Sequence, residues 1–137
     1  MRSVYDAILN KIALDPIAAS AVQTGVAIDT KGYNSCVFVI QNGAATGTPT
    51  SYTVDAKVTE CATSGGTYAD VSGAVITQIT ADSKVVTIRV EGLGTSRLRY
   101  FKVVVTPALA GGTSPKALIG SVCCLGRAYR EPVGNVT

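Results

Sequence analysis

Tyr52-Thr53-Val54-Asp55-Ala56-Lys57-Val58-Thr59 alternates apolar and polar residues without a break. A period of two is the spacing of side chains along a strand, so Tyr52, Val54, Ala56 and Val58 share one face and Thr53, Asp55, Lys57 and Thr59 the other. Such a strand rests on a core with one side and meets water with the other. Upstream, Cys36 to Ile40 is continuously apolar, which predicts a central strand covered on both faces and ending at Asn42-Gly43. Downstream, Val86, Ile88 and Val90 alternate with Val85, Thr87 and Arg89, and Leu98 to Thr106 places Phe101, Val103 and Val105 inward. Tyr68 to Val71 reads as a short edge element, Val75 to Ile79 as a further strand, and Ala117 to Leu125 closes the set. Ala44 to Thr50, Ser64-Gly65-Gly66, Glu91 to Ser96 and Pro107 to Pro115 carry the residues of turns and loops. About seven or eight short strands with this spacing make an all-β sandwich or barrel.

The first thirty residues differ. Ser3 with Asp6 three positions on is a capping-box pattern, and Val4, Ile8 and Ile12 recur at helical spacing, which predicts a short helix to about Leu14, before Pro16. The division expected is therefore an N-terminal arm or short helix over residues 1–20, a sandwich over 21–128 and an extended tail over 129–137, broken by Pro132 and Gly134. The N-terminal helix would either plug one end of the sandwich or dock its thin stripe of Val4, Ile8 and Ile12 on a neighbouring subunit. Arg127 and Arg130, near the tail, are candidates for polar contacts at the rim of such an interface.

Composition narrows the function. The 137 residues suffice for one core. Hydrophobic residues make up 47% and charged residues 15%, well below the roughly 25% of an ordinary soluble domain, so Thr, Ser, Gly, Ala and exposed aliphatics must fill much of the surface. A surface so poor in charge suits coverage by neighbours. The net charge of +3 has no dense basic run behind it, which argues against a nucleic-acid partner. No apolar stretch is long enough to span a bilayer, and Asp6, Asn10, Lys11 and Asp15 interrupt any apolar signal core, so no membrane association is expected and the product begins in the cytoplasm.

The chain has no histidine, which removes Ser-His-Asp, Cys-His and histidine acid–base chemistry. Cys36, Cys61, Cys123 and Cys124 include no C-x-x-C pair, so no metal site and no cofactor is expected. Cys36 and Cys123 lie in apolar runs, where free thiols act as small hydrophobes; Cys61 beside its Ser-Gly-Gly loop is the least constrained candidate for a disulfide. Consecutive Cys123 and Cys124 should point to opposite faces of their strand. Asp29, Asp55, Asp70 and Asp82 sit where strand edges and turns favour Asp, without the mark of a glycosidase pair. Gly92-Leu93-Gly94 lacks the rest of a dinucleotide loop. Tyr33, Tyr52, Tyr68, Tyr100 and Tyr129 are the raw material of a glycan-binding surface, although Tyr52 and Tyr100 are explained by packing in strands. An enzyme is not expected.

Four segments, in order, carry a resemblance: Ile28-Asp29-Thr30-Lys31-Gly32-Tyr33-Asn34-Ser35 leading into the apolar strand, Tyr68-Ala69-Asp70-Val71 after a Gly-rich loop, Ser96-Arg97-Leu98-Arg99-Tyr100-Phe101-Lys102-Val103, and Val122-Cys123-Cys124-Leu125-Gly126-Arg127. Between about Val26 and Arg127 the chain resembles the small β-sandwich head decoration, or cement, proteins of tailed bacteriophages. The resemblance implies a jelly-roll-like β-sandwich on the outer surface of the capsid, bound where major capsid protein subunits meet, commonly as a trimer, and stabilising the shell. It implies no catalytic residues, and its contacts are not a motif, so Val4, Ile8, Ile12, Arg127 and Arg130 rest on physical grounds alone. The alternatives are a neck, tail or fibre-base virion protein, or a glycan-binding β-sandwich module.

Overall fold

Each long alternating run becomes a strand, and the strands stack as two antiparallel sheets. The computed structural model describes residues 3–129. A single helical turn, α1 (Val4–Ala7), precedes nine strands: β1 (Ile8–Ala19), β2 (Gln23–Thr24), β3 (Ile28–Asp29), β4 (Tyr33–Asn42), β5 (Ser51–Cys61), β6 (Ala69–Val75), β7 (Val85–Glu91), β8 (Tyr100–Ala110) and β9 (Ala117–Ala128). The first sheet has the order β1-β9-β4-β7 and the second β2-β8-β5-β6, with β3 also on β8. β2 and β3 are two pieces of one edge strand, and counting them as one gives eight strands. The chain then changes sheets in the pattern of a jelly roll.

The core lies between the two inner faces. Cys36, Phe38, Ile40, Ile88, Val90, Cys123 and Leu125 come from the first sheet, and Val54, Val58, Phe101, Val103 and Val105 from the second, all buried. Burying residues of this size contributes roughly 1.5–3 kcal/mol each before conformational entropy is set against it. All four cysteines are free thiols; Cys36, Cys61 and Cys123 are buried, while half-buried Cys124 lies on the opposite face from Cys123. Contact with the Cys36 thiol and burial together push the Cys123 thiol far above its ordinary range.

The helix expected to run to Leu14 stops at Ala7. Its start is as read, since the Ser3 side chain accepts the Asp6 amide hydrogen bond. From Ile8 onward the backbone pairs with β9, Ile8 opposite Gly126 and Ile12 opposite Val122, and Ala13 and Leu14 enter the core. Pairing with a full-length strand outweighs the weak helical preference of β-branched Ile8 and Ile12. Asp15-Pro16 falls where the register shifts, so the proline sits at a bulge. The segment set apart as an arm is thus, from Ile8, an edge strand of the sandwich.

Two other boundaries differ. The loop expected from Pro107 begins only at Gly111, because Pro107 continues β8 opposite Val54. Val54 exchanges both of its backbone hydrogen bonds with Ile79, so this position asks no N–H of Pro107. The strand expected over Val75 to Ile79 is replaced by the end of β6 and a single bridge from Ile79 to Val54.

Gly25 stitches the sheets at a corner. Its amide donates to the Val103 carbonyl at 2.8 Å, and the next amide, of Val26, donates to the Ala13 carbonyl at 2.9 Å. A Cβ on Gly25 would stand 2.0 Å from the Ala13 carbonyl oxygen, so only glycine permits this approach.

Candidate interaction surface

The first sheet buries one face, and among the described residues nothing covers the other. Because paired residues share a face, the register writes out that outer surface in rows. Ile8, Gly126, Ser35 and Glu91 form one row; Asn10, Cys124, Val37 and Arg89 the next; Ile12, Val122, Val39 and Thr87 the third. Gly120, Gln41 and Val85 continue it. Ile12 is 55% exposed and Val122 37%, while Val37, Val39 and Cys124 are half-buried by neighbours in their own sheet. The centre is apolar, and the only charges in these rows, Arg89 and Glu91, lie on edge strand β7. A groove of about 510 Å³ extends the surface, lined by Pro16, Ile17, Val85 and Leu118 among others. A contiguous apolar area with a polar border is the usual mark of a protein–protein contact.

The candidate residues divide. Ile8 and Ile12 do share an exposed face, for a different reason than expected: in a strand, residues four apart lie on one side as surely as in a helix. Val4, on the helical turn, is exposed and separate from their rows. Arg127 follows the first row in left-handed backbone, at φ 52°, and its guanidinium stands 3.8 Å from Glu91, which Arg89 also contacts. These three charges border the apolar centre. The two arginines and a hydrogen bond from Ser35 hold the Glu91 carboxyl below its ordinary range. Arg130 lies outside the described residues.

Val37, Val39, Val122, Cys124, Leu118 and Val85 belong to the same surface and were not singled out from the sequence. The signal was present in the unbroken run Cys36 to Ile40, which calls for cover on both faces. Within this chain only Cys36, Phe38 and Ile40 receive full cover. Among the described residues no three His, Cys, Asp or Glu side chains converge as a metal site. Asp29 accepts from Arg99 and the Lys31 amide, Asp55 from Gln78 and Asp70 from Lys57, and Asp82 accepts the Ala45 amide. No helix among the described residues is long and apolar enough to cross a membrane. No protein-family model matches the chain, and no curated protein matches it.

Proposed function

We propose that the protein is a structural virion component that decorates and stabilises a bacteriophage capsid, seating the outer face of the first sheet against the outside of the shell and bridging major capsid subunits, as a trimer. The observation that carries this reading is the row Ile12-Val122-Val39, an apolar stripe across three strands that the other described residues leave uncovered. The surface is short of charge, as an adhesive part needs, and the assembly would take place without nucleic acid, membrane or cofactor.

The mechanism is linkage. A protein that binds the assembled lattice and not separated subunits stabilises the lattice by mass action, by roughly 2.7 kcal/mol per site at 100-fold excess over the dissociation constant. Repetition over many sites multiplies a modest contact. The Arg89-Glu91-Arg127 border would act on association rate and salt dependence more than on affinity.

The test is co-sedimentation with emptied phage heads. The parent protein should sediment with heads, and a Val39→Lys, Val122→Lys double variant should stay in the supernatant while its thermal melt still shows a cooperative sandwich. A variant lacking residues 1–7, which leaves β1 whole, should bind nearly as well as the parent. Failure of the parent to sediment at any salt concentration would refute the capsid reading; binding by the double variant would move the contact to another face.

A further inference from the structure

One end of the sandwich carries a second kind of site, independent of the capsid reading. The β3–β4 turn, the β7–β8 turn and the end of β9 enclose a pocket of about 260 Å³, lined by Lys31, Tyr33, Gly94, Arg97, Arg99 and Tyr129. Three separate segments build it, and each is fixed. The Asp29 carboxylate accepts the Lys31 amide at 3.0 Å, and the Tyr33 amide closes the turn on the Thr30 carbonyl at 3.1 Å. The amides of Thr95, Ser96 and Arg97 all point to the Gly92 carbonyl. The Tyr129 amide donates to the Gly32 carbonyl at 2.9 Å, tying the end of β9 to the first turn. Gly94 is the close neighbour that admits the Tyr129 hydroxyl: a Cβ there would come within 2.7 Å of it.

We propose that this pocket binds a pyranose ring carrying a carboxylate, a hexuronic acid unit of an acidic polysaccharide. The size suits one ring, since the volume lies just under the roughly 300 Å³ at which pockets for larger organic ligands begin. Tyr33 and Tyr129 line the pocket, and tyrosine suits a sugar because its ring can pack on the C–H side while its hydroxyl bonds the polar edge. Of the five tyrosines that stood as glycan candidates, these two alone share this pocket. The charge is complementary to an anion. Arg99 is held by Asp29 through two hydrogen bonds, of 2.8 and 2.7 Å, and Arg97 faces Glu60 at 3.4 Å, while Lys31 has no carboxylate partner among the described residues. Among the described residues, three cations against two carboxylates leave one positive charge at the mouth, and both arginines retain N–H donors with no partner there. The pocket lies beyond the row Ile8 to Glu91, at the end of the sandwich, where Tyr33 pairs with Ala128.

The experiment is titration of the full-length protein, followed by amide NMR, with sodium glucuronate, glucose and acetate as separate probes. Glucuronate should shift the amides of Gly32, Gly94 and Tyr129 saturably, glucose should do so more weakly, and acetate should leave them in place. Tyr129→Ala, at an exposed position, should reduce glucuronate affinity about tenfold without loss of fold. Lys31→Gln should remove most of the preference for glucuronate over glucose, and Tyr68→Ala, outside the pocket, should change neither. Acetate binding as strongly as glucuronate, or no shift in these three amides at any concentration up to solubility, would overturn the proposal.

Discussion

Gly25→Ala should destabilise the sandwich by about 2 kcal/mol, a sum of separate effects. The new Cβ would lie 2.0 Å from the Ala13 carbonyl oxygen and 3.0 Å from both the Ala13 carbonyl carbon and Val103 Cγ1, so backbone, not a flexible side-chain end, has to move. Overpacking of a tight site costs roughly 1–3 kcal/mol. Displacing Ala13 also strains the Val26 to Ala13 hydrogen bond, worth about 1 kcal/mol. Against this, alanine reduces the freedom of the unfolded chain by roughly 0.4–1 kcal/mol in favour of folding. The net loss corresponds to a fall in melting temperature of about 4–8 °C for a chain of this length. Urea denaturation of parent and variant measures it, with Gly65→Ala as control, because a Cβ at Gly65 meets nothing within 4 Å. The control should lie within about 0.5 kcal/mol of the parent or gain slightly. If Gly25→Ala also falls within that margin, the close crossing of the two sheets at this corner is wrong.

Ser121→Ala should stabilise the protein by about 1 kcal/mol in the same assay, since the buried Ser121 hydroxyl finds no hydrogen-bond partner among the described residues and its removal relieves a desolvated group; a loss of that size would mean the hydroxyl is satisfied. With a thiol reagent under native conditions, half-buried Cys124 should react first, and Cys36 and Cys123 only as fast as the fold opens, because both are fully buried and contact with Cys36 disfavours the Cys123 thiolate; prompt labelling of four thiols would contradict the core. The hydrogen bonds from Arg99 hold the Asp29 carboxyl down to about 2, below its ordinary value of 3.8, so the pair stabilises the fold above pH 4 and its contribution fades as pH falls from about 4 through 2. Both side chains are more than a third exposed, so the effect should stay below about 1 kcal/mol. Asp29→Asn should flatten that part of the stability profile and leave the rest unchanged, as acid titration of the two proteins by circular dichroism will measure.

The strands with strict alternation were legible because burial on one face leaves a period that local reading detects. Tyr52 to Val58 and Val86 to Val90 are of this kind, and both lie where the alternation places them. β1 was not legible, because Val4, Ile8 and Ile12 satisfy the helical period and the strand's even spacing alike. Only the partner, more than a hundred residues away, decides between them. Pro107 misled for a similar reason: a proline ends a strand unless its neighbour's hydrogen bonds are turned elsewhere, and the bridge between Val54 and Ile79 that turns them is non-local. The interaction surface was half visible. Ile8 and Ile12 were chosen, but Val39 and Val122 join them only through register. The end pocket was outside reach, since Tyr33 and Tyr129 are far apart in sequence and meet through the turn at Gly32.

Of the described strands, the one made last occupies an interior position of the first sheet. β9 separates β1 from β4, and among the described residues β1 pairs with no other strand. While the chain is being made, β4 can find β7, and β5 can find β6 and β8, but β1 must wait for Ala117–Ala128. At synthesis rates of roughly 5–20 residues per second, the interval between Ala19 and Ala128 is roughly 5–20 s. Throughout it, Ile8, Ile12 and Leu14 are exposed on an unpaired edge, and the loop that must finally close is among the longest this chain allows. The first sheet is therefore completed only once Ala128 has been made, and a nascent chain stalled before Ala117 would hold most of the second sheet beside a first sheet that lacks its interior strand.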